Sequence, residues 1–141
     1  MHSSHIRDLL RQHNLRDTQP RRMVIMALQH GKRAISASAL QKRIAAKGEA
    51  INVVTVYRVL AVLASLHIVH RHPCNGRYSL CSIPERRGHH GFLHCTSCGR
   101  VEEFCDAYLC RMEDRIARAT RFRPTAHVSE IVGECHSCLP S

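Results

Sequence analysis

Cys95-Thr96-Ser97-Cys98-Gly99 and Cys135-His136-Ser137-Cys138 place two CxxC pairs in one short chain. A thiol pair at that spacing can hold half of a tetrahedral metal site, and two pairs supply the four sulfurs of a closed structural zinc centre. Each pair is expected at the end of a strand, Gly91 to His94 for the first and Val128 to Gly133 for the second. Thioredoxin-type redox chemistry fits poorly, because that motif opens a helix after a strand. Here Gly99 turns the chain into Arg100-Val101-Glu102-Glu103-Phe104, another strand-like run. Nucleobase deaminases also combine CxxC with a glutamate, but their signature sets His-x-Glu upstream and a proline before the first cysteine. No His-x-Glu occurs and His94 precedes Cys95, so an enzyme is not expected.

The chain has 141 residues with 8 Cys and 12 His. No stretch approaches the roughly 18 apolar residues of a membrane span. The start, Met1-His2-Ser3-Ser4-His5, lacks the apolar region of a signal peptide. A cytoplasmic protein without a membrane partner is therefore expected, and in a reducing compartment its thiols are better read as metal ligands than as disulfides. The charge divides sharply along the chain. Residues 1–82 carry 13 Lys/Arg and 3 Asp/Glu, whereas residues 83–141 carry 8 of each, so the whole excess of +10 lies in the first part. Six of the eight cysteines lie in the second. This predicts a domain over 1–82 facing a polyanion, a hinge over 83–90 where Pro84 and Gly88 bracket a polar run, and a thiol-organised domain over 91–141.

The elements needed to position these groups are legible as periodicities and caps. Leu9, Leu10 and Leu15 mark a first helix, with Asp17 and Thr18 as stop and restart before Pro20 and the apolar run Met23 to Leu28. Ser36 can cap a second helix carrying Leu40 and Ile44. Asn52 can cap a third, Val53 to Leu66, in which Val56, Val59, Leu60 and Leu63 recur at helical spacing. Ile68 to His72 and Arg77 to Cys81 flank Pro73-Cys74-Asn75-Gly76, and Asn-Gly is a hairpin-turn signal. Three short helices and a hairpin in a basic domain predict a winged helix-turn-helix whose last helix enters the DNA major groove. Its candidate DNA face is Asn52, Thr55, Tyr57 and Arg58, since arginine can bridge two guanine acceptors while threonine and tyrosine reach phosphates or thymine methyls. In the second domain Asp106 can cap a helix bearing Leu109, Met112 and Ile116.

From Thr18 to Cys138 the chain resembles the ferric uptake regulator family of bacterial metal-responsive repressors. The resemblance is carried by Thr55-Val56-Tyr57-Arg58-Val59-Leu60, by His89-His90 ahead of Cys95-x-x-Cys98-Gly99, by Val101-Glu102-Glu103-Phe104 and by Gly133-x-Cys135-x-x-Cys138. It implies an α+β protein, with an N-terminal winged helix-turn-helix domain and a C-terminal α/β dimerisation domain built around a four-cysteine zinc site. It also implies a homodimer that binds palindromic double-stranded operator DNA when a regulatory metal is loaded, with no small-molecule substrate. Carried over, Cys95, Cys98, Cys135 and Cys138 are the structural zinc ligands, and Tyr57 and Arg58 are DNA contacts.

The zinc uptake regulator branch is the most similar. A histidine that commonly binds metal in the iron and peroxide sensors is replaced by Ala34. Instead the branch implies His70 and Cys81 in the wing, His89 or His90 in the hinge loop, and Glu103. A thiolate, two imidazoles and a carboxylate form a tetrahedral set suited to zinc. The expectation is two zinc ions per subunit, one structural and one regulatory, in a repressor of zinc uptake genes. Iron or peroxide sensing within the same family, and a basic zinc module that binds RNA, are the competing readings. A third metal site at His127 would lack two partners, because the matching positions are Cys110 and Gly91. Cys105 and Cys110 are read as small buried apolar residues. His94 and His136 are read as neighbours of the cysteines rather than ligands.

Overall fold

The computed structural model describes residues 3–29, 31–83, 90–124 and 128–140. It divides into two compact units, Met1–Cys81 and Ser82–Ser141. Among the described residues no helix is long and apolar enough to cross a membrane.

The first unit contains helices α1 (Ser3–Gln12), α2 (Gln19–Leu28), α3 (Ala37–Ala45) and α4 (Val53–Ser65), followed by strands β1 (Val69–Arg71) and β2 (Tyr78–Leu80). Ile6, Leu10, Val24, Ile25, Leu40, Val56, Leu60 and Leu63 interlock in one fully buried core. There are four helices rather than three, because the expected interruption of the first is a complete break. Asn14 adopts the left-handed conformation (φ 55°), and Leu15 donates its N–H back to the Leu10 carbonyl at 2.8 Å. That bond closes the end of α1 and leaves Leu15 outside it. Asp17 is therefore not the helix stop; its carboxylate pairs with Arg22 at 2.6 Å and Arg7 at 3.2 Å.

Two caps act as the sequence suggests. Ser36 Oγ accepts the Ala39 N–H at 3.2 Å, and Asn52 Oδ1 accepts the Thr55 N–H at 2.7 Å. Each satisfies an otherwise orphaned amide in a first helical turn. The wing is antiparallel, with Val69 opposite Leu80, His70 opposite Ser79 and Arg71 opposite Tyr78. Gly76 turns it at φ 67°, and its N–H reaches the His72 carbonyl at 2.7 Å. Ile35 adds a single antiparallel bridge to Tyr78, which ties the chain ahead of α3 to the wing.

The second unit consists of β3 (Gly91–Cys95), β4 (Val101–Phe104), helix α5 (Ala107–Ala119) and β5 (Ser129–Gly133). The sheet order is β4-β3-β5, antiparallel across β3–β4 and parallel across β3–β5. Asp106 caps α5, its Oδ1 accepting the N–H groups of Tyr108 and Leu109, each at 2.8 Å. Gly91 lies opposite Phe104 in register, and a β-carbon at Gly91 would collide with the Phe104 ring. Gly91→Ala should therefore cost about 1–3 kcal/mol by overpacking, read as a lower urea midpoint for the full chain.

Candidate functional site

The sulfurs of Cys95, Cys98, Cys135 and Cys138 lie within 4.8 Å of one another, and those of Cys98 and Cys135 are 3.8 Å apart. None of the four forms a disulfide. Backbone geometry brings them together from both ends of a long sequence separation. Gly99 at φ 72° lets the chain reverse after Cys98, so that its N–H reaches the Cys95 carbonyl at 2.9 Å. On the other side the Thr96 N–H donates to the Gly133 carbonyl at 2.8 Å, which joins this turn to the end of β5.

The thiols are electrostatically unequal. Cys95 is held down to about 6 by the backbone N–H of Cys135, with help from that of Cys98; the N···S distances are 3.3 and 3.5 Å. Cys138 is pushed up to about 12 by hydrogen bonding to Cys135 and Cys98, with burial adding to the shift. Cys138 therefore keeps its proton unless a cation replaces it, whereas Cys95 already favours the thiolate. Four convergent sulfurs with donor amides on Cys95 suit a soft divalent ion in tetrahedral coordination.

Two further pairs form, each within its own unit. In the first, a His70 ring nitrogen and Cys81 Sγ lie within 4.8 Å of each other; Cys81 follows β2, with its N–H on the Ile68 carbonyl at 3.0 Å. In the second, His90 Nδ1 pairs with Glu103 Oε1, and both side chains are buried. The other oxygen, Oε2, accepts two hydrogen bonds from Ser82, one from its N–H and one from its hydroxyl, each at 2.6 Å. Strand alternation separates Glu103 from its neighbour, since Glu102 pairs instead with Arg100 at the surface. His89 and His127 lie outside the described residues.

Other histidines and cysteines have different settings. His72 is fully buried, with Nε2 2.8 Å from Ser79 Oγ. Cys74 is exposed. Cys105, between β4 and α5, and Cys110, on α5, are half-buried rather than fully buried as expected; α5 buries none of its residues. Burial still raises the Cys110 thiol, and the neighbouring Cys105 and Glu113 raise it further. His136 is exposed. His94 is buried, and its Nε2 lies 3.1 Å from Glu130 Oε1. Sequence reasoning missed that pair because only the parallel β3–β5 register brings Glu130 beside β3. It also missed Ser82, for which there was no signal beyond its place after Cys81.

On α4, Tyr57 is 53% exposed, Arg58 is exposed and Thr55 half-buried. Asn52 is exposed, and its carboxamide oxygen is engaged in the cap. Val54, 55% exposed, joins the same surface and suits contact with a thymine methyl.

A four-helix winged unit and an α/β unit with clustered thiols define a metal-responsive transcription regulator. The ferric uptake regulator family model matches residues 12–132, and the chain belongs to that family. The ferric uptake regulation protein of Legionella pneumophila is 35% identical over 130 residues, covering 92% of this chain and 95% of its own. That of Escherichia coli K12 is 35% identical over 127 residues, covering 89% and 85%. Among solved structures, a zinc uptake regulator complexed with zinc and DNA gives a TM-score of 0.88 at 26% identity, covering 96% of this chain and 91% of that one. The Vibrio cholerae ferric uptake regulator gives 0.59 at 32% identity, covering 91% and 98%.

The cluster makes a direct prediction. Cys138→Ser should lose one tightly held metal equivalent per chain in native mass spectrometry and lower the thermal midpoint, because metal binding to such a site contributes folding free energy. Acidification should release the same equivalent from the unaltered protein as protons compete for the sulfurs.

Proposed function

We propose that this protein is a zinc-responsive repressor, without catalytic activity, that acts in the cytoplasm and binds a palindromic operator as a homodimer to control zinc uptake genes. The observation that carries the zinc reading is the thiol of Cys81 beside His70 at the base of the wing. A sulfur ligand favours zinc over iron(II) or manganese(II), which prefer oxygen and nitrogen donors. The 0.88 TM-score to a zinc uptake regulator supports it as well. The relatives named ferric uptake regulation proteins favour iron instead, and their 35% identity makes it the reading to test against.

In this reading Cys95, Cys98, Cys135 and Cys138 hold a structural zinc, while His70 and Cys81 join His90 and Glu103 around a regulatory one. A bound zinc ion supplies the positive charge that lets a thiolate, two imidazoles and a carboxylate share one centre. His70 and Cys81 belong to the unit that carries α4; His90 and Glu103 belong to the other. Ligands drawn from both units restrict the orientations α4 can sample, a population shift toward arrangements that fit two half-sites. Tyr57, Arg58 and Thr55 then contact bases and phosphates, and Asn52 holds the helix start in place.

The homodimer is supported by apolar surface on the second unit, including Ile116 at 61% and Phe122 at 68% exposure, with Leu93, Ile131 and Val132 exposed on the strands. That unit is also close to electrically neutral, so a second copy meets no like-charge penalty.

Operator binding should respond to zinc at lower free-metal concentration than to iron(II) or manganese(II) when the three are titrated in parallel; activation by iron(II) at equal or lower concentration would overturn the zinc assignment. Cys81→Ser should raise the zinc needed for half-maximal binding by at least about tenfold and leave the structural zinc in place. Arg58→Ala should weaken operator binding by about 1–3 kcal/mol with zinc content and dimerisation unaltered, checked by fluorescence anisotropy at fixed salt.

A further inference from the structure

Glu103 is held more completely than a ligand needs to be. Its Oε1 faces His90 Nδ1. Its Oε2 takes both donors of a single residue, the Ser82 N–H and hydroxyl, at 2.6 Å each. With both donors on one oxygen, the carboxylate cannot turn without breaking two charge-assisted hydrogen bonds, which are stronger than neutral ones. Ser82 is also the residue after Cys81. It is thus covalently joined to one proposed ligand and hydrogen-bonded to another.

We propose that Ser82 is a positioning residue that restricts Glu103 to one-oxygen coordination and so biases the regulatory site toward four-coordinate zinc. The inference rests on the reading of Glu103 as a regulatory ligand. A carboxylate can bind a metal through one oxygen or two. Zinc is satisfied by four ligands, whereas iron(II) and manganese(II) favour higher coordination and more oxygen. Withholding Oε2 removes the fifth donor. Selectivity then depends on a residue that never touches the metal, as hydrogen-bond partners behind ligating carboxylates often do.

The test uses the full chain with zinc retained in the four-cysteine centre, and cobalt(II) titrated as the spectroscopic probe. The unaltered protein should show intense tetrahedral d–d bands and a thiolate-to-cobalt charge-transfer band. Ser82→Ala, which removes the hydroxyl and leaves the backbone N–H as the one donor to Oε2, should keep the charge-transfer band, weaken the d–d bands as the loosened Oε2 reaches the metal, lower zinc affinity by about tenfold or more and narrow the preference for zinc over manganese(II). Ser82→Thr, which restores the hydroxyl, should recover all three properties.

A Ser82→Ala protein with unchanged spectrum and selectivity would overturn the proposal, whether or not its affinity fell. A distinct result sinks the underlying site reading: if Cys81→Ser leaves the charge-transfer band of the second cobalt intact, Cys81 is not a ligand, and the Ser82 assignment goes with it.

Discussion

The constraint on which the second unit depends is the meeting of four sulfurs at one end of its sheet. Among the described residues, the buried apolar side chains of that unit are Phe92, at 2% exposure, and Cys95. A unit so poor in buried apolar surface cannot offset the conformational entropy of ordering its chain by burial alone. The CxxC turn after β3 and the one after β5 are brought into contact at Cys95, Cys98, Cys135 and Cys138. Backbone amides of Cys98 and Cys135 point at Cys95 before any metal is considered. The sheet register and the thiol cluster therefore enforce each other: a slip of β5 along β3 would carry Cys135 away from Cys95.

The first unit is stabilised by different means. Its helices meet in a core of Leu, Ile and Val, and its helix ends are closed by local devices: Ser36 and Asn52 at N-termini, Asn14 and His67 in the left-handed conformation at C-termini. This leaves the outward face of α4 free of structural duty, apart from Asn52. Tyr57, Arg58 and Val54 are exposed because Val56, Val59, Leu60 and Leu63 take the core positions of the same helix. Packing and recognition thus occupy opposite faces of one helix.

What the sequence made legible follows from the range of each interaction. Caps, the Asn-Gly turn and the CxxC pairs are decided within a few residues, and Ser36, Asn52, Asp106 and Gly76 act as read. The end of α1 was misplaced because Asn14 competes with Asp17 as a terminator, and only a left-handed residue allows the Leu15 N–H to return to Leu10. The His94–Glu130 pair, the collision that keeps residue 91 a glycine, and the anchoring of Glu103 by Ser82 all depend on register between distant segments. Alternation along a strand fixes which face each residue takes, but not which residue of a distant strand stands opposite it. The roles of the proposed regulatory ligands came from resemblance, since the spacing of histidines along the wing does not by itself assign a ligand.

The parallel pairing of β3 with β5 also has a kinetic consequence. Cys95 and Cys135 are 40 residues apart, and even after the β3–β4 hairpin returns Phe104 to Gly91, the stretch from Phe104 to Ser129 remains to be closed. A loop of that length must close before its contacts contribute, which slows formation relative to the short-range helical contacts of the first unit. During synthesis the winged unit emerges first and can fold while the second half of the metal cluster has yet to leave the ribosome. The newborn chain therefore acquires its nucleic-acid-facing surface before it can complete its four-sulfur centre, and the order of maturation is written into the strand topology.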